Sequence, residues 1–73
     1  MSAEGVKAEF SRRLDALMRR RGLTPLGLSL LMFGETSHAQ AVRYWLGGQS
    51  SPTLVTLHRL RKALNCTYDE LIP

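Results

Sequence analysis

The sequence predicts an all-α domain built from five short helices. Apolar residues recur at three- and four-residue spacing in several segments, as they do on the buried face of a helix. Residues that favour helix starts and ends separate these segments, and no segment shows the apolar–polar alternation that is typical of a strand. The 73 residues allow one small domain. The first seven residues are expected to be frayed, and residues 8–73 are expected to form the domain.

Apolar spacing and local signals place each helix in turn. Phe10, Leu14 and Leu17 give helix 1 its apolar face, and Leu54, Leu57, Leu60 and Leu64 do the same for helix 4. In chain order, the predicted helices cover residues 8–21, 25–33, 38–46, 52–64 and 68–72. The residues expected to end the first four helices are Gly22, Gly34, Gly47 with Gly48, and Asn65.

Two kinds of start signal precede helices 2 to 5. An N-cap residue followed by proline is expected at helices 2 and 4, because proline fits the first helical position. A capping box, in which Ser or Thr is followed three residues later by Gln or Glu, is expected at helices 3 and 5. The residues are Thr24 with Pro25, Ser51 with Pro52, Ser37 with Gln40, and Thr67 with Glu70.

Helix 3 has the pattern that contact with nucleic acid requires. Val42 and Trp45, three residues apart, are expected to hold the helix against the core. The opposite side carries His38, Gln40, Arg43 and Tyr44. A short helix with hydrogen-bonding side chains near its exposed start fits the major groove of DNA.

Composition narrows the function classes. Ten Lys and Arg against six Asp and Glu give a net charge of +4, which favours a polyanionic partner, although clustered arginines can also be a solvated helix face. One cysteine, Cys66, cannot pair within the chain, and the longest apolar run, residues 26–33, is too short to cross a membrane. No secretory leader opens the sequence, so a cytoplasmic location is expected.

The sequence lacks the patterns that predict an enzyme. It has no glycine-rich phosphate loop, no Cys and His at metal-binding spacing, and no pair of carboxylates in an apolar setting. We therefore expect no catalytic activity, no cofactor, no metal and no small-molecule ligand.

Residues spread over most of the chain carry a resemblance to a known family. They are Phe10, Leu14, Leu17, residues 22–24, Val42, Trp45, Gly48, Pro52, Leu54, Leu57, Leu60, residues 63–65 and residues 67–71. At this spacing, over roughly residues 10–72, the chain resembles the helix-turn-helix domains of the phage-repressor and Cro family. The resemblance implies a five-helix lambda-repressor-like domain, with helices 2 and 3 as the helix-turn-helix.

The chain departs from the family in three places. About three extra residues between helices 2 and 3 lengthen the turn at residues 33–36. Met18 and Leu46 replace a partly buried arginine–glutamate pair, which is coherent because the loss of one partner alone would leave a buried charge. Pro25 replaces a glutamine that touches a phosphate, so this contact is lost or moves to Thr24.

The resemblance places helix 3 in the major groove. The base-reading residues it implies are His38, Ala39, Gln40, Arg43 and Tyr44. Gln40 could pair with adenine or only complete the capping box, and Ala39 could meet a thymine methyl group or be an inert helix former. The phosphate-contacting residues it implies are Thr24, Gln49, Ser50 and Ser51, with Arg12, Arg13 and Lys62 as weaker candidates.

Helix 2 is apolar nearly all round, with Ser29 as its polar exception. An exposed apolar stripe on a small domain usually contacts another protein. We therefore expect Leu26 and Leu30 to contact a second copy or a partner subunit. The alternative is that the longer turn rotates helix 2 deeper into the core.

The function expected from these features is sequence-specific binding of double-stranded DNA by a small repressor-like transcriptional regulator. A homodimer would occupy two half-sites about one helical turn, ~34 Å, apart. The alternative is a protein-interaction module that keeps the fold and no longer reads a specific operator.

Overall fold

The computed structural model describes residues 2–73, and their secondary structure is entirely helical. The helices are α1 (Ala3–Arg20), α2 (Pro25–Phe33), α3 (Ala39–Leu46), α4 (Leu54–Leu64) and α5 (Tyr68–Leu71). The all-α class and the five helices predicted from the sequence are therefore confirmed.

Helix α1 begins about five residues earlier than predicted. Ser2 is its N-cap, and the Ser2 hydroxyl accepts a hydrogen bond from the Gly5 N–H at 3.1 Å. Glu4 lies in the first turn, where a negative charge is favoured by the helix dipole. The expectation of a frayed segment over residues 1–7 is therefore wrong for residues 3–7, which are helical; Met1 lies outside the described residues.

The caps of α2, α4 and α5 follow local sequence signals, with one correction. Thr24 caps α2, and α5 begins with the predicted capping box of Thr67 and Glu70. Helix α4, in contrast, begins at Leu54 instead of Pro52, because the Thr53 hydroxyl is the group that accepts from the N–H three residues on, at 3.3 Å. The predicted cap at Ser51 is therefore wrong, and Ser51 lies in the segment before the helix.

The core lies where the inner faces of all five helices meet. Helix α1 contacts α3 and α5, while α2 contacts α3 and α4. The large apolar side chains with no exposed surface are Leu14, Leu28, Val42, Leu60, Leu64 and Leu71. Because each helix contributes to this one core, the position of α3 is fixed from behind by α1 and α2.

Met18 and Leu46, which replace the arginine–glutamate pair of the family, both lie in apolar surroundings. Met18 is buried in the core, and Leu46 packs against it. A different polar link joins α1 to the end of α3: the Ser11 hydroxyl donates a hydrogen bond to the Leu46 carbonyl oxygen. Neither position leaves a buried charge without a partner.

Helices α4 and α5 are joined by a polar and aromatic cluster. The His58 Nδ1 atom lies 2.9 Å from the Tyr68 hydroxyl, and the Arg61 guanidinium lies 5.2 Å from the centre of the Tyr68 ring, a favourable cation–π distance. Arg61 also donates to the Cys66 carbonyl oxygen at 3.4 Å. Burial raises the pKa of the Cys66 thiol. The thiol therefore stays protonated and uncharged, as suits a small side chain in the core.

Across residues 2–73, no helix combines the length and the apolar character that crossing a membrane requires.

Candidate nucleic-acid interface

Helix α3 is a short rod held against the core by one face. Its eight residues span about 12 Å in length, and a helix with its side chains is about 10–12 Å in diameter. The DNA major groove, about 12 Å wide, admits a helix of this diameter. Val42 and Trp45 are buried, as predicted. Deletion of a buried indole costs about 3–5 kcal/mol in other proteins, so these two side chains hold the helix firmly in its position.

The opposite face of α3 carries polar side chains. Gln40, Arg43 and Tyr44 are exposed, and their spacing of three to four residues places them on one side of a helix. Within residues 2–73, none of these three side chains makes a hydrogen bond or an ion pair. Their donors and acceptors are therefore available to an external partner.

The start of α3 differs from the predicted capping box. His38 is the N-cap residue and its side chain makes no capping hydrogen bond. Ser37 points elsewhere and donates from its hydroxyl to Oε1 of Glu35 at 2.8 Å. The predicted box of Ser37 and Gln40 is therefore wrong, and the interpretation that Gln40 serves only as a capping partner is wrong with it.

A buried serine from α2 takes over the role of the predicted cap. Ser29 has no exposed surface; its hydroxyl accepts from the His38 N–H at 3.2 Å and donates to the Glu35 carbonyl oxygen at 2.5 Å. One side chain thus holds both ends of the segment that leads into α3. The sequence signal was present, since a lone serine in an otherwise apolar helix must find a polar partner when it is buried.

His38 is held in place more firmly than a solvated side chain. Its ring centre lies 3.9 Å from that of Phe33, and its Nε2 atom lies 3.3 Å from Oε1 of Glu35. The guanidinium of Arg59, on α4, lies 5.5 Å from the centre of the Phe33 ring. The His38 ring is therefore part of a built cluster at the start of α3.

Ala39 lies on the wrong side of α3 for contact with a base. Only 3% of its surface is exposed, because Ala39 lies three residues before the buried Val42 and therefore on the same side of α3. The prediction that its methyl group meets a thymine is therefore wrong.

The end of α3 is shaped by two glycines, as predicted. The Gly48 N–H donates to the Trp45 carbonyl oxygen at 3.2 Å, and the Gln49 N–H donates to that of Tyr44 at 3.0 Å. This pattern needs a left-handed residue, and Gly48 supplies it with a φ of 72°. The chain therefore turns sharply away from the end of α3.

The residues predicted to contact phosphate lie at two helix boundaries. Gln49 and Ser51 are exposed and Ser50 is half-buried in the segment after α3. Thr24 is exposed at the start of α2, where its hydroxyl accepts from the Gly27 N–H at 3.1 Å. The Thr24 hydroxyl proton is free to be donated to another group.

The arginines of α1 proposed as weaker phosphate contacts are partly neutralised. Arg12 and Arg13 both donate to Glu9, and these hydrogen bonds, with that from Arg12 the stronger, lower the pKa of Glu9 to about 2. Arg13 also donates to the Asp69 and Ile72 carbonyl oxygens. These two side chains bind the chain itself, whereas Arg43 makes no ion pair among residues 2–73.

The outer face of α2 is apolar and exposed. Leu28, Ser29 and Met32 are buried, whereas Leu26, Leu30 and Leu31 are exposed by 48%, 51% and 57%. The longer turn therefore leaves these three leucines accessible, whether or not it sets α2 deeper in the core. The contact predicted for Leu26 and Leu30 remains a prediction.

No three side chains of His, Cys, Asp or Glu in residues 2–73 lie together in an arrangement that could hold a metal ion.

Comparisons with known proteins agree with this geometry at the level of the fold. No protein-family model matches the sequence, and no curated protein matches it significantly. The crystal structure of an HTH_3 family transcriptional regulator from Vibrio cholerae is similar, with a TM-score of 0.83 over 96% of this chain and 21% sequence identity. This chain spans 38% of the length of that protein. The chain thus has the five-helix lambda-repressor-like fold of the repressor and Cro type, with α2 and α3 as its helix-turn-helix.

Proposed function

We propose that this chain binds double-stranded DNA in a sequence-specific manner and regulates transcription. The observation that carries the proposal is the outer face of α3, where Gln40, Arg43 and Tyr44 are exposed and uncommitted. This face belongs to the second helix of a helix-turn-helix, the element that enters the major groove in such domains. The likeness to a transcriptional regulator adds support from the fold.

The chemistry of the three side chains suits base edges. The Gln40 amide can pair with N6 and N7 of adenine, and the Arg43 guanidinium can pair with O6 and N7 of guanine. The Tyr44 hydroxyl, one turn further along α3, can donate to a phosphate oxygen. Each well-formed bidentate pair discriminates against the wrong base by about 1–3 kcal/mol.

Phosphate contacts would set the position of α3 on the duplex. Gln49, Ser50 and Ser51 follow the sharp turn at Gly48, and they carry small or amide side chains that let the backbone approach a phosphate. Thr24 offers its hydroxyl at the start of α2. The net charge of +4 supplies attraction that does not depend on sequence.

We further propose that the chain acts as a homodimer on two half-sites about one helical turn, ~34 Å, apart. Repression would follow from occupation of the promoter by the dimer. Exposed apolar residues support self-association, since Leu54 and Val55 at the start of α4 are exposed by 84% and 69%, and such side chains often mark protein contacts.

Selection of bound sequences from a random duplex library tests the proposal. We expect enrichment of one motif, repeated with two-fold symmetry at a spacing of one helical turn. Affinity for the selected site should fall as salt rises. A plot of the logarithm of the association constant against the logarithm of the salt concentration should have a slope of about −0.9 for each phosphate that the protein neutralises. An affinity that is independent of salt, or a selected pool without a motif, would contradict specific DNA binding.

A second candidate function rests on the apolar outer face of α2. Leu26, Leu30 and Leu31 would contact a protein partner, and the fold would serve as an interaction module. Uniform weak retention of genomic DNA fragments, with no preferred site, would favour this function over the first. Under it, Leu30→Glu would impair function more than changes to Gln40 and Arg43.

A further inference from the structure

The turn between α2 and α3 holds a carboxylate at the start of the helix that we propose enters the groove. The turn comprises residues 34–38, whereas three or four residues are common in this motif. The side chain of Glu35 is 60% exposed. Its Oε1 atom accepts from the Ser37 hydroxyl at 2.8 Å and lies 3.3 Å from Nε2 of His38.

Both the backbone and the carboxylate of Glu35 are fixed. The buried Ser29 hydroxyl donates to its carbonyl oxygen, and the His38 ring that faces its carboxylate is stacked on Phe33. Among the residues described, the second carboxylate oxygen, Oε2, has no partner. The turn therefore presents a positioned hydrogen-bond acceptor with one free oxygen.

A carboxylate beside DNA has few favourable partners. Phosphate oxygens repel it, and N7, O6 of guanine and O4 of thymine are all acceptors in the major groove. The remaining donors there are the amino groups of cytosine N4 and adenine N6. Cytosine suits a carboxylate best, because adenine places its N7 acceptor beside its amino group.

We propose that Glu35 is a specificity-determining residue that selects cytosine at one position of each half-site. This inference rests on the proposed function, because it requires α3 to enter the major groove. Ser37 and His38 are positioning residues that aim the carboxylate, so His38 acts on the base through Glu35. The longer turn thus adds the Glu35 carboxylate, a hydrogen-bond acceptor, to the three side chains that α3 itself exposes: Gln40, Arg43 and Tyr44.

Library selection with matched variants tests this inference. We expect the native chain to select cytosine at one position per half-site, and Glu35→Ala to reduce that preference about tenfold. Glu35→Gln should shift the preference toward adenine, since an amide pairs with N6 and N7. His38→Phe keeps the ring but removes the nitrogen, so it should weaken the cytosine preference alone. Glu4→Gln, an exposed carboxylate on α1, serves as the control.

The outcomes separate this inference from the function on which it rests. If the native chain selects no motif, the proposed function fails and this inference fails with it. If the native chain selects a motif that is unchanged in Glu35→Ala and Glu35→Gln, the role of Glu35 is overturned and DNA reading stands. A loss of preference at every position together, with a lowered melting temperature, would assign Glu35 to folding and overturn the inference as well.

Discussion

Helices α2 and α3 have nine and eight residues, and each buries one face in the shared core, but their outer faces differ in chemistry. Helix α2 exposes Leu26, Leu30 and Leu31, whereas α3 exposes Gln40, Arg43 and Tyr44. Burial holds both helices by the same means. This difference in chemistry underlies the binding that we propose for each helix: an apolar surface for α2 and base edges or phosphates for α3.

The largest expected effects come from the inner faces, where the two helices are alike. We expect Trp45→Ala in α3 to lower the free energy of unfolding by about 3–5 kcal/mol, and Leu28→Ala in α2 by about 2–5 kcal/mol, because each leaves a cavity in the core. Urea denaturation followed by circular dichroism measures both. Tyr44→Ala is the neighbouring exposed control and should cost about 0.5 kcal/mol or less. An equal loss in Tyr44→Ala would contradict the assignment of inner and outer faces.

The next effect separates the outer faces. We expect Gln40→Ala and Arg43→Ala each to weaken binding to the selected DNA site by about 1–3 kcal/mol, since each removes a proposed base contact. Fluorescence anisotropy with a labelled duplex measures the affinity. Arg19→Ala is the matched control, because Arg19 is an exposed arginine on α1 that pairs with Asp15. If Arg19→Ala weakens binding as much as Arg43→Ala, the contribution of α3 is general charge and its specific role is refuted.

The junction between the two helices should respond to loss of its buried serine. We expect Ser29→Ala to lower the free energy of unfolding by about 1–3 kcal/mol, because the His38 N–H and the Glu35 carbonyl oxygen lose their partner. Urea denaturation gives the stability, and faster amide exchange at His38 would locate the defect. Ser37→Ala, at an exposed site, should cost about 0.5 kcal/mol or less; the opposite ranking of the two serines would contradict the proposed junction.

The smallest expected effect is at the outer face of α2. The double variant Leu26→Gln and Leu30→Gln should change the affinity for a duplex with a single half-site by about 0.5 kcal/mol or less, since these residues lie outside the proposed DNA interface. Sedimentation equilibrium of the same variant tests self-association through α2, because glutamine keeps the length of the side chain without its apolar surface. A large loss of affinity for the half-site duplex in a variant that remains folded would remove the distinction between the two faces.

Much of the fold could be predicted because its signals are local. Helical spacing of leucines, the Thr24 cap, the Thr67 capping box and the left-handed stop at Asn65 each depend on residues within one turn of each other. The early start of α1 also depends on local signals, since Ser2 is an ordinary N-cap residue and Glu4 an ordinary first-turn residue. The prediction placed the start later because residues 2–7 contain few apolar side chains. These elements needed no knowledge of tertiary packing.

The start of α3 could not be predicted in the same way. Ser37 and Gln40 had the spacing of a capping box, but the His38 N–H is taken by Ser29, nine residues earlier in the chain. This tertiary hydrogen bond holds His38 as the N-cap residue, and the Ser37 hydroxyl donates to Glu35 instead of accepting from the Gln40 N–H. Ala39 is buried for another reason: it lies three residues before Val42 and therefore on the same core-facing side of α3.

A titration with DNA, followed by the amide chemical shifts of the isotopically labelled chain, tests the central claim most directly. The account predicts that the selected duplex perturbs the amides of Gln40, Arg43 and Tyr44 and of residues 49–51, while those of Leu26, Leu30 and Leu31 stay unchanged. Perturbation confined to α2, or no specific perturbation of α3 at saturating duplex, would contradict it.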